Sequence, residues 1–253
     1  MRTRFSYLAL ALLALPLAAQ ANSGAKHPEP IEWKFDGVLG KIDKPSVQRG
    51  LQVYKEVCAA CHGLKRVAFR QLTDIGLSEA EAKALAAEYQ IHDGPNDDGE
   101  MFDRPGRASD KFPSPYLNDN AARASNNGAL PPDLSLIVKA RPDGANYVHA
   151  LLTGYGHEAP EGVVVPEGAY YNPYFPGGII KMPPPIADEQ VTYQDGTAAS
   201  RDQISKDIVN FLQWASEPEM EARKRMGIKV IMFLAIMTVF FYFAKKRIWS
   251  DLH

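Results

Sequence analysis

The 253-residue sequence is poor in cysteine, carrying two, and has no surplus of charge of either sign: 28 Lys+Arg stand against 30 Asp+Glu, a formal net charge of −2. Two cysteines exclude a disulfide-dense scaffold, and without a second Cys pair a four-ligand Cys zinc site cannot be built. The near-neutral total excludes a globally basic nucleic-acid binder. With 45% hydrophobic residues the chain is too apolar and too weakly charged for intrinsic disorder. Strand signals are also scarce and confined to short runs such as 163–165. The 19 glycines and 19 prolines exceed the combined average of about 12%, which points to a loop-rich fold without low complexity.

Two apolar segments divide the chain. Arg2 and Arg4 precede an apolar run from Tyr7 to Ala19, broken only by Pro16, and Ala19-Gln20-Ala21 has small residues at the spacing of a cleavage site. This pattern predicts a secretory signal peptide over 1–21, with the mature chain beginning at Asn22. The alternative, an N-terminal anchor, needs about 18 apolar residues and finds 13 here. Near the other end, Met226 to Ala244 is apolar except for Lys229, long enough to span a bilayer. A buried core helix would instead leave Lys245, Lys246 and Arg247 against the core, whereas they suit a membrane exit. Basic residues flank both ends of the span, so the charge rule alone leaves orientation open; the leader, by exporting the N-terminal part, decides it.

The expected organisation is a leader (1–21), an exported domain (22–225), a transmembrane helix (226–245) and a short cytoplasmic tail (246–253). Removing two cations in the leader and seven from Arg223 onward leaves 19 Lys+Arg against 29 Asp+Glu in residues 22–222, so the exported part stands near −10. Pro218, Glu219 and Glu221 suit a helix start, which predicts one helix from Pro218 to Trp249, longer than the bilayer core.

Both cysteines fall in Cys58-Ala-Ala-Cys61-His62, the attachment signal for c-type haem. Two thiols at this spacing can add to two vinyl groups on one haem edge while the next residue's imidazole reaches the iron. Val47, Leu51, Tyr54 and Cys58 recur at helical intervals behind Ser46, a candidate N-cap, and a continued helix would put Cys58, Cys61 and His62 on one face. A disulfide across two residues leaves His62 unexplained, and a thioredoxin-like pair would want a βαβ context that is missing.

The sixth iron position separates an electron carrier from a ligand-binding or catalytic haem. Candidates are Met101, Met182 and Met220, with His27, His92, His149 and His157. Met182 lies in an aromatic, Gly/Pro-rich stretch, Tyr170 to Pro185, whose prolines restrict the backbone, whose glycines permit close approach to a flat ring and whose Tyr and Phe residues offer apolar walls. Met101 falls in an acidic loop and Met220 at the start of the anchor helix.

These motifs, with Gly128-Ala-Leu-Pro-Pro-Asp-Leu-Ser135, Tyr171-Asn-Pro-Tyr-Phe-Pro-Gly177, Met182-Pro-Pro-Pro185, Trp214-Ala-Ser-Glu-Pro218 and Arg223-Lys-Arg-Met-Gly227, resemble the cytochrome c1 family in order along essentially the whole mature chain. The resemblance implies one covalently bound haem c, thioether links from Cys58 and Cys61, axial ligation by His62 and Met182, Arg123 as partner of a haem propionate, and Asn127, Pro131 and Pro132 lining the haem side of their loop. It further implies a membrane-anchored electron-transfer subunit of quinol:cytochrome c reductase, an enzyme only as part of that complex. Its partners would be cytochrome b, a Rieske iron-sulfur protein as donor and a soluble or tethered cytochrome c as acceptor. The complex would be dimeric, in the inner membrane, with the haem domain in the periplasm. Two departures stand out: Lys181 and Pro183 flank Met182 where relatives commonly carry smaller residues, and the extra cysteine pair of some bacterial relatives cannot form. A cation near the iron favours its reduced form or raises the potential. The runner-up is an anchored haem c sensor or enzyme with an open sixth position.

The fold expected is mostly α, a c-type cytochrome domain with long loops plus one C-terminal transmembrane helix. Besides the haem-bearing helix, helices are expected at Ser78–Tyr89, Asp133–Ala140, Ala145–Thr153 and Ser200–Ala215, with capping boxes Ser78/Glu81 and Ser200/Gln203. The acidic stretch Asp93 to Asp103 reads as a solvated loop that only weakly mimics a calcium loop, and as a docking surface for a basic partner.

Overall fold

The computed structural model describes residues 24–252, so the leader expected over 1–21 lies outside the described residues. The protein is helix-dominated. Helices α1 (Lys44–Val53), α2 (Glu79–Ala87), α3 (Asp119–Ser125), α4 (Gly144–Thr153), α5 (Arg201–Ser216) and α6 (Met220–Ile248) are joined by long loops and two small antiparallel hairpins. The hairpins pair β1 (Gln90–Asp93) with β2 (Phe102–Pro105) and β3 (Tyr170–Tyr171) with β4 (Ile179–Ile180). No strand forms at 163–165, where the chain is an open loop.

The core is the crossing of α1 and α5. Val47, Leu51 and Tyr54 of the α1 segment meet Ile204, Ile208, Phe211 and Leu212 of α5, all buried. The backbones approach at Gly50, where a Cβ would lie 2.1 Å from the Asp207 carbonyl oxygen, so only glycine permits the crossing. Beside it Asp207, fully buried, takes both Nε and Nη2 of Arg49 at 2.9 Å, the Ser46 hydroxyl at 2.6 Å and the Gln203 amide at 3.1 Å. A carboxylate with this many donors is tolerated out of water. Ser46 is therefore not the N-cap of α1: its hydroxyl is committed to Asp207, and the helix starts three residues earlier, at Lys44 behind Asp43, with Pro45 where a missing N–H costs nothing.

The Ser78/Glu81 capping box forms in both directions, Glu81 N donating to Ser78 Oγ at 3.2 Å and Ser78 N to the Glu81 carboxylate at 2.7 Å. Ser200 caps α5 alone, because the Gln203 side chain has turned to Asp207. The helix expected at Asp133–Ala140 is a string of turns. Its first donors and acceptors leave the local ladder: Leu134 N donates to Gly63 O at 2.9 Å, the Asp133 carboxylate takes Lys65 N at 2.9 Å, and Ser135 Oγ takes Arg66 N at 3.1 Å.

Helix α6 is long and apolar enough to cross a membrane, and from Met226 onward most of its large side chains are exposed. It begins at Met220 and not at Pro218, which occupies the turn after α5. Its first turns are fastened to the domain. The Glu221 carboxylate accepts from Ile42 N at 3.0 Å, Lys224 Nζ donates to Phe35 O at 2.5 Å and Gly40 O at 3.2 Å, and Glu217 pairs with both Lys139 and Arg223.

Candidate functional site

The helical segment widens before the Cys-x-x-Cys-His motif. Tyr54–Cys58 forms a π turn, with Ala59 N donating to Tyr54 O at 2.8 Å; such turns recur at functional sites. Cys61 N and His62 N then both donate to Cys58 O, at 3.1 and 2.9 Å. The motif is thus one tight turn folded over the Cys58 carbonyl, not a continuation of the regular helix. Both cysteines are free thiols and half-buried. Burial, aided by the neighbouring Cys61, pushes the Cys58 thiol up to about 12, whereas a redox nucleophile needs a lowered value. The environment holds a neutral thiol and opposes the thioredoxin-like alternative.

His62 is oriented from two sides. Its Nδ1 lies 2.8 Å from Pro132 O, and a carbonyl oxygen only accepts, so Nδ1 carries the proton and Nε2 keeps its lone pair. Tyr54 Oη donates to His62 O at 3.1 Å. Burial pulls the imidazole's proton affinity down, outweighing the Pro132 bond and nearby Asp133, which favours the neutral ring a metal requires.

Met182 is held on a different loop. Asn172, buried in the Tyr-Asn-Pro-Tyr-Phe-Pro-Gly stretch, donates to Leu151 O at 2.8 Å and accepts from Tyr174 N at 3.1 Å, fixing the loop to α4. The backbone of Met182 is gripped by Tyr155, whose hydroxyl donates to Met182 O at 3.0 Å. Next to it Lys181 Nζ donates to Asn127 O at 2.9 Å. Asn127 has a positive φ of 50°, and Gly168 lies so close that a Cβ there would sit 2.3 Å from Asn127 Nδ2. The Met182 loop, the Asn127 turn and, five residues on, the carbonyl that orients His62 are one connected frame.

A cleft of about 650 Å³ opens beside this frame, within the roughly 300–1,000 Å³ of cofactor sites. Cys61, Ala122, Leu130 and Pro131 line it; Cys58, His62, Pro132, Met182, Arg123 and Asn127 do not. Arg123 is exposed on α3, its Nη1 donating to Gly128 O at 3.2 Å, so it braces the Asn127 turn together with Lys181. Two free thiols on one turn, a neutral imidazole with a free Nε2 and an adjacent cleft fit a covalently attached haem.

Among the competing ligand candidates, His27 lies 3.6 Å from Asp143 and His157 is exposed. His92 pairs with Asp103 and His149 with Asp202, Met101 is exposed in the β1–β2 connection, and Met220 is buried in the core. The acidic stretch is a hairpin and not a free loop. Arg104 binds Asp93 at 2.5 Å and Asp110 at 2.6 Å, which holds both carboxyls below the usual range, and leaves Asp97, Asp98 and Glu100 exposed at the tip.

Comparison with known proteins decides the family. The model of the Cytochrome C1 family matches residues 33–252. The chain belongs to the cytochrome c1 family. It is 48% identical to a protein named cytochrome c1 from Rhodospirillum rubrum, over 95% of this chain and 94% of that one. It is 52% identical to the Arabidopsis thaliana protein named "Cytochrome c1 1, heme protein, mitochondrial", over 93% of this chain and 76% of the relative. A Bradyrhizobium diazoefficiens protein named cytochrome b/c1 is 52% identical over 93% of this chain, which spans only 37% of that relative's length.

Within this cytochrome c1 chain the residues that orient the site, Tyr54, Tyr155, Asn172 and the Pro132 carbonyl, are not evident from motif reading. Only the Tyr-Asn-Pro-Tyr stretch hinted at one of them. The others act through backbone carbonyls, which no side-chain pattern reveals.

Proposed function

We propose that this chain is the haem c-bearing electron-transfer subunit of a quinol:cytochrome c reductase, accepting electrons from a Rieske iron-sulfur protein and passing them to a soluble or tethered cytochrome c. The observation that carries the reading is His62: protonated at Nδ1 against Pro132 O, with Nε2 free, at the end of a turn bearing two free thiols. Cys58 and Cys61 would hold the haem covalently, and His62 and Met182 would bind its iron. When bound, haem c supplies a one-electron Fe(III)/Fe(II) couple, and His/Met ligation raises its potential.

The chain's own residues then tune and do not react. Tyr155 and Lys181 fix the loop that carries Met182, Pro132 fixes the imidazole, and Leu130 and Pro131 would form an apolar part of the cleft wall. Arg123, with Asn127 beside it, would face a propionate after releasing Gly128 O. The polypeptide carries out no bond chemistry by itself.

Helix α6 anchors the domain, with the boundaries expected from sequence: a leader over 1–21, an exported domain over 22–225, a span over 226–245 and a tail over 246–253, the haem domain lying in the periplasm at the inner membrane. The relative from Bradyrhizobium is named cytochrome b/c1 and one from Candida albicans is named a cytochrome b-c1 complex catalytic subunit, which supports a cytochrome b partner; the complex would be dimeric. Purification from membranes tests this: a covalent haem should co-purify with a cytochrome b and an iron-sulfur protein, and a haem-bearing chain isolated without either contradicts it.

A further inference from the structure

Among the described residues outside α6, the most exposed adjacent pair of large apolar side chains is Val38 and Leu39, with 69% and 79% of their surface open. They form the tip of a short excursion between Lys34 and Lys41, whose neck is closed by Lys41 N donating to Lys34 O at 2.9 Å. The base is rigid. Trp33 and Phe35 stack with ring centroids 5.4 Å apart and are buried, Trp33 Nε1 donates to Asn146 Oδ1 at 2.7 Å, and the turn at Gly40 is so tight that a Cβ would meet Asp36 O at 2.0 Å. A soluble domain would not be expected to present a Val-Leu pair on so well-built a support without a use for it.

The direction of this excursion is given by its contacts with α6. Ile42 N is bound at Glu221, and Gly40 O at Lys224, so the chain, followed backward from Ile42, descends the helix from its first turn toward its apolar part. Leu39 and Val38 come next. Met226, the first exposed apolar residue of α6, is two residues past Lys224, or about 3 Å along the axis. The pair therefore extends toward the level at which the spanning segment enters lipid, with Lys41 exposed behind it to face headgroups. We propose that Val38 and Leu39 form a second membrane contact, an apolar fingertip seated in the interfacial layer of the bilayer next to the anchor helix. With Lys224 as the cross-tie, it would fix the tilt of the domain over the membrane. The inference rests on α6 as a membrane span and is independent of the electron-transfer reading.

The test uses the full-length, haem-loaded chain in phospholipid vesicles, with an environment-sensitive fluorophore on single introduced cysteines: Leu39→Cys, Val38→Cys, Ile231→Cys within the span, and Asp97→Cys at the hairpin tip. Positions 38 and 39 should be quenched by lipid carrying a quencher in the upper acyl chain several-fold more strongly than position 97, and should be protected from aqueous iodide. Iodide quenching equal to that at position 97 would overturn the proposal. Protection from both quenchers would overturn it too, since protein would then cover the tip. Should position 231 also escape the lipid quencher, the spanning helix and the fingertip fail together. The two tip positions report independently, so one misfolded variant does not decide the outcome.

Discussion

The two halves of the domain are held by different means. The α1–α5 half is a packed core: Gly50 lets the helices touch, aromatic rings fill the space, and the buried Asp207 is satisfied by four donors from Arg49, Ser46 and Gln203. The half around Met182 has short strands and long loops, held by single side-chain bonds to backbone carbonyls: Tyr155 to Met182, Lys181 to Asn127, Asn172 to Leu151. The first half supplies stability. The second supplies position, and its bonds can be altered one at a time without taking down the fold. A redox protein benefits from that division, since potential depends on ligand geometry while lifetime depends on the core.

The largest effect expected from breaking this division is in the core. Asp207→Ala leaves the Arg49 guanidinium half of a buried pair and should cost about 3–5 kcal/mol in denaturant unfolding. The visible spectrum of the molecules that still fold should be unchanged.

On the loop side, Tyr155→Phe removes one hydrogen bond and should cost only about 1 kcal/mol, yet weaken the Met-to-iron absorption band. Equal loss of stability and no spectral change would show that the two halves do not divide the work this way. Lys181→Met should be milder still: exposed Lys181 contributes little to stability, but removing its charge next to Met182 should lower the potential in a redox titration.

The smallest effect belongs to the acidic hairpin. Arg104 depresses both Asp93 and Asp110, so their contribution is complete above about pH 4 and is lost as the pH falls through the lower folded-state values. Hydrogen exchange of the hairpin amides should rise on acidification, and Arg104→Met should show that rise already at neutral pH. If Asp97, Asp98 and Glu100 at its tip dock a basic acceptor, electron transfer to that acceptor slows steeply with salt.

What could be read from the sequence follows the same division. Local rules held where local partners decide: the Ser78/Glu81 box forms, Gly154 ends α4, and α5 buries its apolar positions Ile204, Ile208, Phe211, Leu212 and Ala215, together with most of the residues between them. They failed where a distant partner takes the group over. Ser46 looked like a cap until Asp207, 161 residues away, claimed its hydroxyl, and 133–140 lost its helix to the segment after His62. The site shows the same pattern. Cys58, Cys61 and His62 are contiguous and legible, whereas Tyr155 touches only a carbonyl, and Arg123 is here bound to Gly128 O.

In the proposed function the two halves meet at one iron, His62 from the turn after α1 and Met182 from the loop half. Met182→Ala tests it most directly, by optical spectrum and redox titration of the membrane-purified protein. The covalent haem should stay attached through Cys58 and Cys61, lose the Met-to-iron band and fall in potential by a sizeable part of the roughly 0.8 V that axial ligands command. A variant that keeps both the band and the high potential would contradict it.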